Sequence, residues 1–287
     1  MRIIRCLILI LILLVYSSNV SSGFLSSVGD KSLPELNEIL KKCAEYCKKV
    51  ENSALFFVCK EKIKEEIFVE HSMRRVIVRG GRPRTYRIPT KKEKNEYVYD
   101  YQLIKKGKSI KESRTLIEEN GEKKNEKDAP LKTKAFYSLK SVYGPVGLLS
   151  EKFQEQYNYK LLKEDKISGR KAYVIEAVPK KKIEENPNFG KLWVDRVDFS
   201  VLKIEMAQES LAGFEELESK IKKSGVKPIL TAIHHYGVEK NGIRFPSKTI
   251  FEEAYSGYWR GKSRQSKIVI EYYDYRFFTV DVEVKYK

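Results

Sequence analysis

The chain has 287 residues and carries 56 Lys and Arg against 39 Asp and Glu, a formal charge of +17. After an N-terminal apolar run no segment is apolar enough to span a membrane, which excludes a helical integral membrane protein. So basic a balance favours anionic partners such as phospholipid headgroups, anionic glycolipid or nucleic acid, or else serves only as a solubilising surface.

Arg2 and Arg5 precede an unbroken apolar run from Cys6 to Tyr16 and then a small polar stretch from Ser17 to Gly23. This is the layout of a signal peptide, and the apolar run is about 11 residues where a spanning helix needs roughly 20. Cleavage after Ser22 places Val20 and Ser22 at the recognition positions, so residues 1–22 are expected to leave and residues 23–287 to form one exported domain. Localisation in the periplasm, or secretion, follows, and export argues against nucleic acid as partner. Cys6 lacks the residues of a lipidation box around it.

Ser32 and Glu35 are spaced as a capping box with Pro34 in the first turn, which predicts a helix to about Lys49. Its apolar face is Leu36, Ile39, Leu40, Cys43, Cys47 and Val50. Residues 54–70 then change to a period of two, with Leu55, Phe57, Cys59, Ile63, Ile67 and Val69 on one face of a long strand. In an oxidising compartment three remaining cysteines imply one bridge and a spare thiol, with Cys59 able to meet Cys47 or, one helical turn away, Cys43. A zinc site lacks a fourth ligand, and no metal or cofactor is expected.

A basic loop follows, and after it hairpins recur. The strand pairs are 97–104 with 109–118, 159–164 with 170–178, 191–195 with 201–206, 230–238 with 243–255, and 266–278 with 280–286; Asn120-Gly121 makes a further turn. Helical segments are expected at 144–156 and 211–223. About ten strands joined by short turns must be antiparallel, and a sheet that wide curls. The expected fold is α+β, mainly antiparallel β: a strongly curved, half-open barrel with about three helices as a lid or plug.

Catalytic chemistry finds little support. His234 and His235 are adjacent on a strand and point to opposite faces, so they do not share a metal. Asp195 and Asp198 sit at a hairpin turn, where Asp commonly caps its own backbone. No nucleophile elbow, zinc-protease motif or phosphate loop is present in the sequence, and the protein is read as a non-enzyme.

Several phrases carry a resemblance: residues 45–49 with 57–61, Tyr-Val-Tyr-Asp-Tyr at 97–101, Tyr-Gly-Pro-Val-Gly-Leu-Leu at 143–149, and Leu-Trp-Val-Asp at 192–195 followed by 201–205. Together they are similar to the LolA-like group of lipoprotein-localisation factors, in particular uncharacterised bacterial secreted members. The resemblance implies an unclosed barrel whose apolar cavity takes up the acyl chains of lipids or lipoproteins. Its lining would include Phe57, Tyr99, Tyr101, Leu149, Phe153, Trp193, Ile204 and Phe245, and with it Cys47 and Cys59 become the expected disulfide. The alternatives are an envelope sensor or assembly module that binds a protein partner on the same fold, and a secreted enzyme.

Finally, Arg74, Arg75, Arg79, Arg82, Arg84, Arg87, Lys91, Lys92 and Lys94 stand against Glu93 alone in the loop after the first strand. Like charges so close repel unless an anion relieves them, and the arginine fork suits phosphate, so an anionic membrane surface is the expected partner of this patch.

Overall fold

The structure, a computed structural model, describes residues 36–53, 55–76, 84–134, 141–180, 188–211, 213–221, 226–257 and 261–278, all within the compact unit Glu35–Lys287. The expected signal peptide, the capping box and the strand at 280–286 lie outside them.

Helix α1, Leu36–Asn52, buries Ile39, Leu40, Cys43, Cys47 and Val50, the stripe set by its spacing, and adds Tyr46. The Ser53 hydroxyl donates to the Lys49 carbonyl at 2.7 Å and closes the last turn. The strands are β1 Phe56–Val76, β2 Arg84–Lys106, β3 Ser109–Glu119, β4 Glu122–Glu126, β5 Tyr157–Ile167, β6 Arg170–Pro179, β7 Gly190–Asp195, β8 Val201–Met206, β9 Val226–His235, β10 Val238–Lys240, β11 Ile243–Phe245, β12 Lys248–Gly257 and β13 Gly261–Phe277. Eleven of them form one sheet in the order β4-β3-β2-β1-β13-β12-β9-β8-β7-β6-β5, with every pairing antiparallel. The sheet is open, since β4 and β5 end it without pairing to each other. Strand β4 is short, charged and wholly exposed, which protects that edge from pairing with another chain.

Turn chemistry sets the register. Asn120-Gly121, Ser168-Gly169 and Asn241-Gly242 each place two consecutive residues at positive φ, the geometry that matches the twist of two-residue hairpins. The pairing of β2 with β3, β5 with β6 and β7 with β8 follows the strands read from the sequence. The expected hairpin of 230–238 with 243–255 does not form as one unit. Pro246 and Gly237 interrupt it, so β9 and β12 pair in the main sheet while β10 and β11 make a separate two-stranded excursion around Asn241-Gly242.

The expected helix at 144–156 is likewise divided. Ser150 is extended (φ −67°, ψ 147°), which separates α2, Gly144–Leu149, from α3, Glu151–Gln154. The fourth helix, α4, spans Phe214–Ile221.

Helix α2 shows how far the sheet curls. The Tyr159 hydroxyl on β5 donates to the Leu148 carbonyl, while the Lys105 ammonium on β2 lies 5.7 Å from the Tyr143 ring centre, just before α2. Strands β2 and β5 are eight steps apart in the sheet, about 38 Å if it were flat. A segment of six residues, about 9 Å long as a helix, touches both. The sheet therefore wraps strongly, with α1 and α2 over its concave face.

The concave face carries one large apolar cluster that draws on β1–β3, β5–β9 and β11–β13, with α1 and α2 packed into it. A small second cluster of Ala172, Val174, Trp193 and Leu202 lies apart from it, at alternate positions of the same strands and hence on the opposite side.

Candidate functional site

Seven of the eight residues expected to line a cavity meet in the large cluster. Phe57 packs with Tyr101, Phe245, Tyr275 and Phe277 at ring separations of 5.2–6.0 Å. Tyr99 is fully buried, with its hydroxyl between the Pro130 carbonyl and the Lys132 amide. Leu149 and Ile204 are buried, and Phe153 is half-buried on α3. Trp193 is the correction. It belongs to the outer cluster, where its indole donates to Asp165 at 2.9 Å and the Lys203 ammonium sits 3.6 Å over its ring. Its neighbours Leu192 and Val194 take the inward positions, because alternate residues of a strand face opposite sides.

The cysteines also depart from expectation. Cys43, Cys47 and Cys59 are free buried thiols, and the Cys47–Cys59 bridge is not formed. The cause is the docking of α1 on α2: the Cys47 thiol donates to the Pro145 carbonyl at 3.5 Å, whereas Cys59 lies on β1 beside Tyr275. Burial pushes the Cys43 thiol up to about 12 and moves Cys47 and Cys59 in the same direction, so all three stay protonated.

Helix α2 is the element on which polar and apolar demands conflict. Pro145, Val146, Leu148 and Leu149 are buried, and Gly144 approaches Tyr236 so closely that a Cβ would stand 2.7 Å from its hydroxyl. Yet the Tyr143 hydroxyl at one end of the helix and the Ser150 hydroxyl at the other are buried and have no hydrogen-bond partner among the described residues. An unsatisfied buried polar group costs about 1–3 kcal/mol. Beside Tyr143, Lys105 is 6% exposed; among the described residues its ammonium reaches the Ser53 carbonyl, at 3.5 Å, and the Tyr143 ring. Burial lowers its pKa, against the opposing pull of the Glu51 carboxylate. Sequence reasoning missed all three residues. The Tyr-Gly-Pro-Val-Gly-Leu-Leu phrase pointed to the segment, but nothing in it shows which hydroxyls lose their partners.

The Thr133 hydroxyl is a third buried group without a partner among the described residues, whereas the charged groups of the interior are matched. Arg114 grips Glu61 with two bonds of 2.6 and 3.1 Å, with its guanidinium 4.6 Å over the Tyr101 ring. Asp195 accepts from the Val197 and Asp198 amides, and Arg244 donates to Ser200 at 2.6 Å, so these aspartates hold the β7–β8 turn as the sequence indicated. His234 is buried with Nδ1 3.2 Å from the Thr249 hydroxyl, while His235 is half-buried on the adjacent position.

The basic segment is not a loop over most of its length. Strands β1 and β2 continue past their last pairing with a neighbour: β13 pairs with β1 as far as Ile67, and β3 begins against β2 at Tyr97. Phe68–Val76 and Arg84–Lys92 thus pair only with each other, and Arg74, Arg75, Arg84 and Arg87 stand within this ribbon, opposite Tyr86, Thr85, Val76 and Met73. Arg79 and Arg82 lie outside the described residues. At the root, Lys92 pairs with Glu66 at 2.6 Å, which depresses the Glu66 carboxyl, and Glu93 pairs with Lys134.

A family model described only as an uncharacterized protein matches residues 147–251. Nothing among the curated proteins matches the chain. Among solved structures, a LolA superfamily protein from Nitrosomonas europaea is 12% identical over 84% of this chain and 94% of its own, with a TM-score of 0.34. The chain is similar to LolA superfamily proteins. An outer membrane lipoprotein-sorting protein domain from Vibrio parahaemolyticus is 14% identical over 86% and 95%, at 0.37. The Pseudomonas aeruginosa MucA/MucB complex is 11% identical over 85% and 99%, at 0.23. At such values no function is carried across, and the functional reading rests on this chain's own residues.

Proposed function

We propose that the chain is an exported, non-catalytic binding module of the cell envelope that takes up the acyl chain of a lipid or lipoprotein between α2 and the concave face of the sheet. The observation that carries this reading is the pair of buried hydroxyls without a partner among the described residues, Tyr143 and Ser150, at the two ends of a short helix seated on an apolar cluster. A helix of six residues has little stability of its own and keeps its place through the side chains beneath it. Moving it would open aromatic and aliphatic surface to a hydrocarbon chain. The polar end of such a molecule would then supply Tyr143 and Ser150 with partners and lie beside the Lys105 ammonium.

Burying eight methylenes contributes about 6 kcal/mol, which corresponds to a Kd of tens of micromolar. A fluorescent fatty-acid probe titrated into delipidated protein is expected to bind saturably in that range. Leu149→Arg, which places a charge under α2, is expected to abolish that signal, and native mass spectrometry of protein from its own host is expected to find co-purified lipid. Absence of both saturable probe binding and bound lipid sinks the acyl-carrier reading. A co-purified polypeptide in place of lipid would favour a partner-binding module.

A further inference from the structure

We propose that the two-stranded ribbon formed by Phe68–Val76 and Arg84–Lys92 is a docking arm for the surface of an anionic phospholipid bilayer. This inference stands on the ribbon alone and holds whether or not the concave face binds an acyl chain.

Three observations combine. The first is charge: from His71 to Lys92 the sequence contains six arginines and two lysines and no Asp or Glu. The root of the ribbon behaves differently, because there Lys92 is matched by Glu66 and Glu93 by Lys134. Beyond the root, the run of arginines has no carboxylate within it in the sequence.

The second observation is position. No third strand pairs with Phe68–Val76 or Arg84–Lys92 among the described residues, so the segment runs roughly 30 Å, at the rise of a strand, beyond its last pairing with a neighbour. Two register shifts, at Phe68/Glu70 and Glu70/His71, fall at its root, and bulges of this kind bend and twist a ribbon.

The third is composition, which selects among anionic partners. Met73, Val76, Tyr86 and Ile88 are interspersed with Arg74, Arg75, Arg84 and Arg87 along the two strands, with Tyr86 across from Arg74, Val76 from Arg84 and Met73 from Arg87. A soluble polyanion offers phosphate or sulfate but no apolar phase, so it makes no use of these side chains. The interface of a bilayer offers both: lipid phosphates for the planar arginine fork, and a headgroup boundary in which an aromatic ring and branched aliphatic groups gain by leaving water.

Co-sedimentation with vesicles tests the proposal. The unmodified protein is expected to bind vesicles of phosphatidylcholine with 30% phosphatidylglycerol, to lose at least tenfold in binding between 50 and 500 mM salt, and to ignore pure phosphatidylcholine. Arg74→Gln, Arg75→Gln, Arg84→Gln and Arg87→Gln together are expected to lower binding at least tenfold. A control with the same loss of charge elsewhere (Lys111→Gln, Lys123→Gln, Lys160→Gln and Lys171→Gln, all exposed) is expected to lower it less than threefold. Equal losses in the two variants would assign the binding to net charge and overturn the docking arm. Salt-independent binding of the unmodified protein overturns it as well, a readout that requires no variant to fold. Binding to heparin without binding to anionic vesicles would identify a soluble polyanion site and overturn the bilayer assignment. Failure of the fatty-acid titration leaves each of these outcomes unaffected.

Discussion

The β1–β2 hairpin is one continuous ladder whose two halves are built from opposite chemistry. In the half nearer α1, Phe57, Cys59, Glu61, Tyr99 and Tyr101 are buried between neighbouring strands, and the charge that enters the interior is matched: Glu61 by Arg114, with Tyr101 covering the guanidinium. In the outer half the strands pair, among the described residues, only with each other, and from His71 to Lys92 the sequence holds no carboxylate. Backbone pairing is thus indifferent to the difference; what decides it is whether a third strand lies alongside. Where one does, desolvation forces each charge to find a partner, and where none does, charge is free to serve an external one.

The comparison is broken most severely by removing the match in the inner half. Arg114→Leu leaves Glu61 buried without its partner and is expected to cost about 3–5 kcal/mol of stability, read as a fall in the urea midpoint. Glu61→Leu with Arg114→Leu removes both charges and is expected to recover most of that loss. If the single and the double variant are equally unstable, the ion pair is not what holds this half together.

A smaller effect sharpens the contrast through two histidines. His234 is buried on β9 against Thr249 and Phe251, and desolvation, with His235 beside it, lowers its pKa from 6.5 to about 4. The unfolded chain therefore takes up a proton between these values that the folded chain refuses, so stability falls as pH drops from about 6.5 towards 4. The loss amounts to about 3 kcal/mol for this group. The half-buried His235, also lowered chiefly by desolvation, acts in the same direction. Urea midpoints measured across that range are expected to lose most of their slope in His234→Gln. His71→Gln, in the outer half of β1, is expected to keep the slope.

Much of this contrast was legible in the sequence, for reasons specific to each element. The period-two pattern from Leu55 to Ile67 gave the inner half of β1, and Asn120-Gly121 and Gly169 gave the turns, because both are local signals. The basic segment was read as a loop since Gly80, Gly81 and Pro83 interrupt it, yet the strands on either side run on to Val76 and from Arg84. Trp193 was given the wrong side because a six-residue strand offers no independent check on its register. The pairing of Cys47 with Cys59 failed for a different reason: inward faces on a helix and a strand do not say which element the helix docks against, and α1 docks on α2. The phrase at 143–149 pointed to the segment, but nothing in the sequence singled out Tyr143, Ser150 or Lys105, since the loss of a hydrogen-bond partner is a property of the assembled interior.

The smallest expected effect concerns thiol chemistry and leaves stability untouched. Cys59 in the inner half is buried beside Tyr275 and is pushed towards the protonated form by burial, whereas position 85 of the outer half lies in the two-stranded ribbon opposite Arg75. Reaction with iodoacetamide requires both access and thiolate. In native protein at pH 8, Cys43, Cys47 and Cys59 are expected to remain unmodified for as long as the fold persists, and all three to react at once in denaturant without prior reduction. A thiol introduced by Thr85→Cys has two arginines within one residue, Arg84 in sequence and Arg75 across the ladder, and nearby cations favour the thiolate. It is expected to react in the native state at the rate of a free thiol or faster. Native labelling of Cys59 would show that the inner half opens more readily than its matched charges imply, and slow labelling at position 85 would show that the ribbon is covered and the two halves are alike.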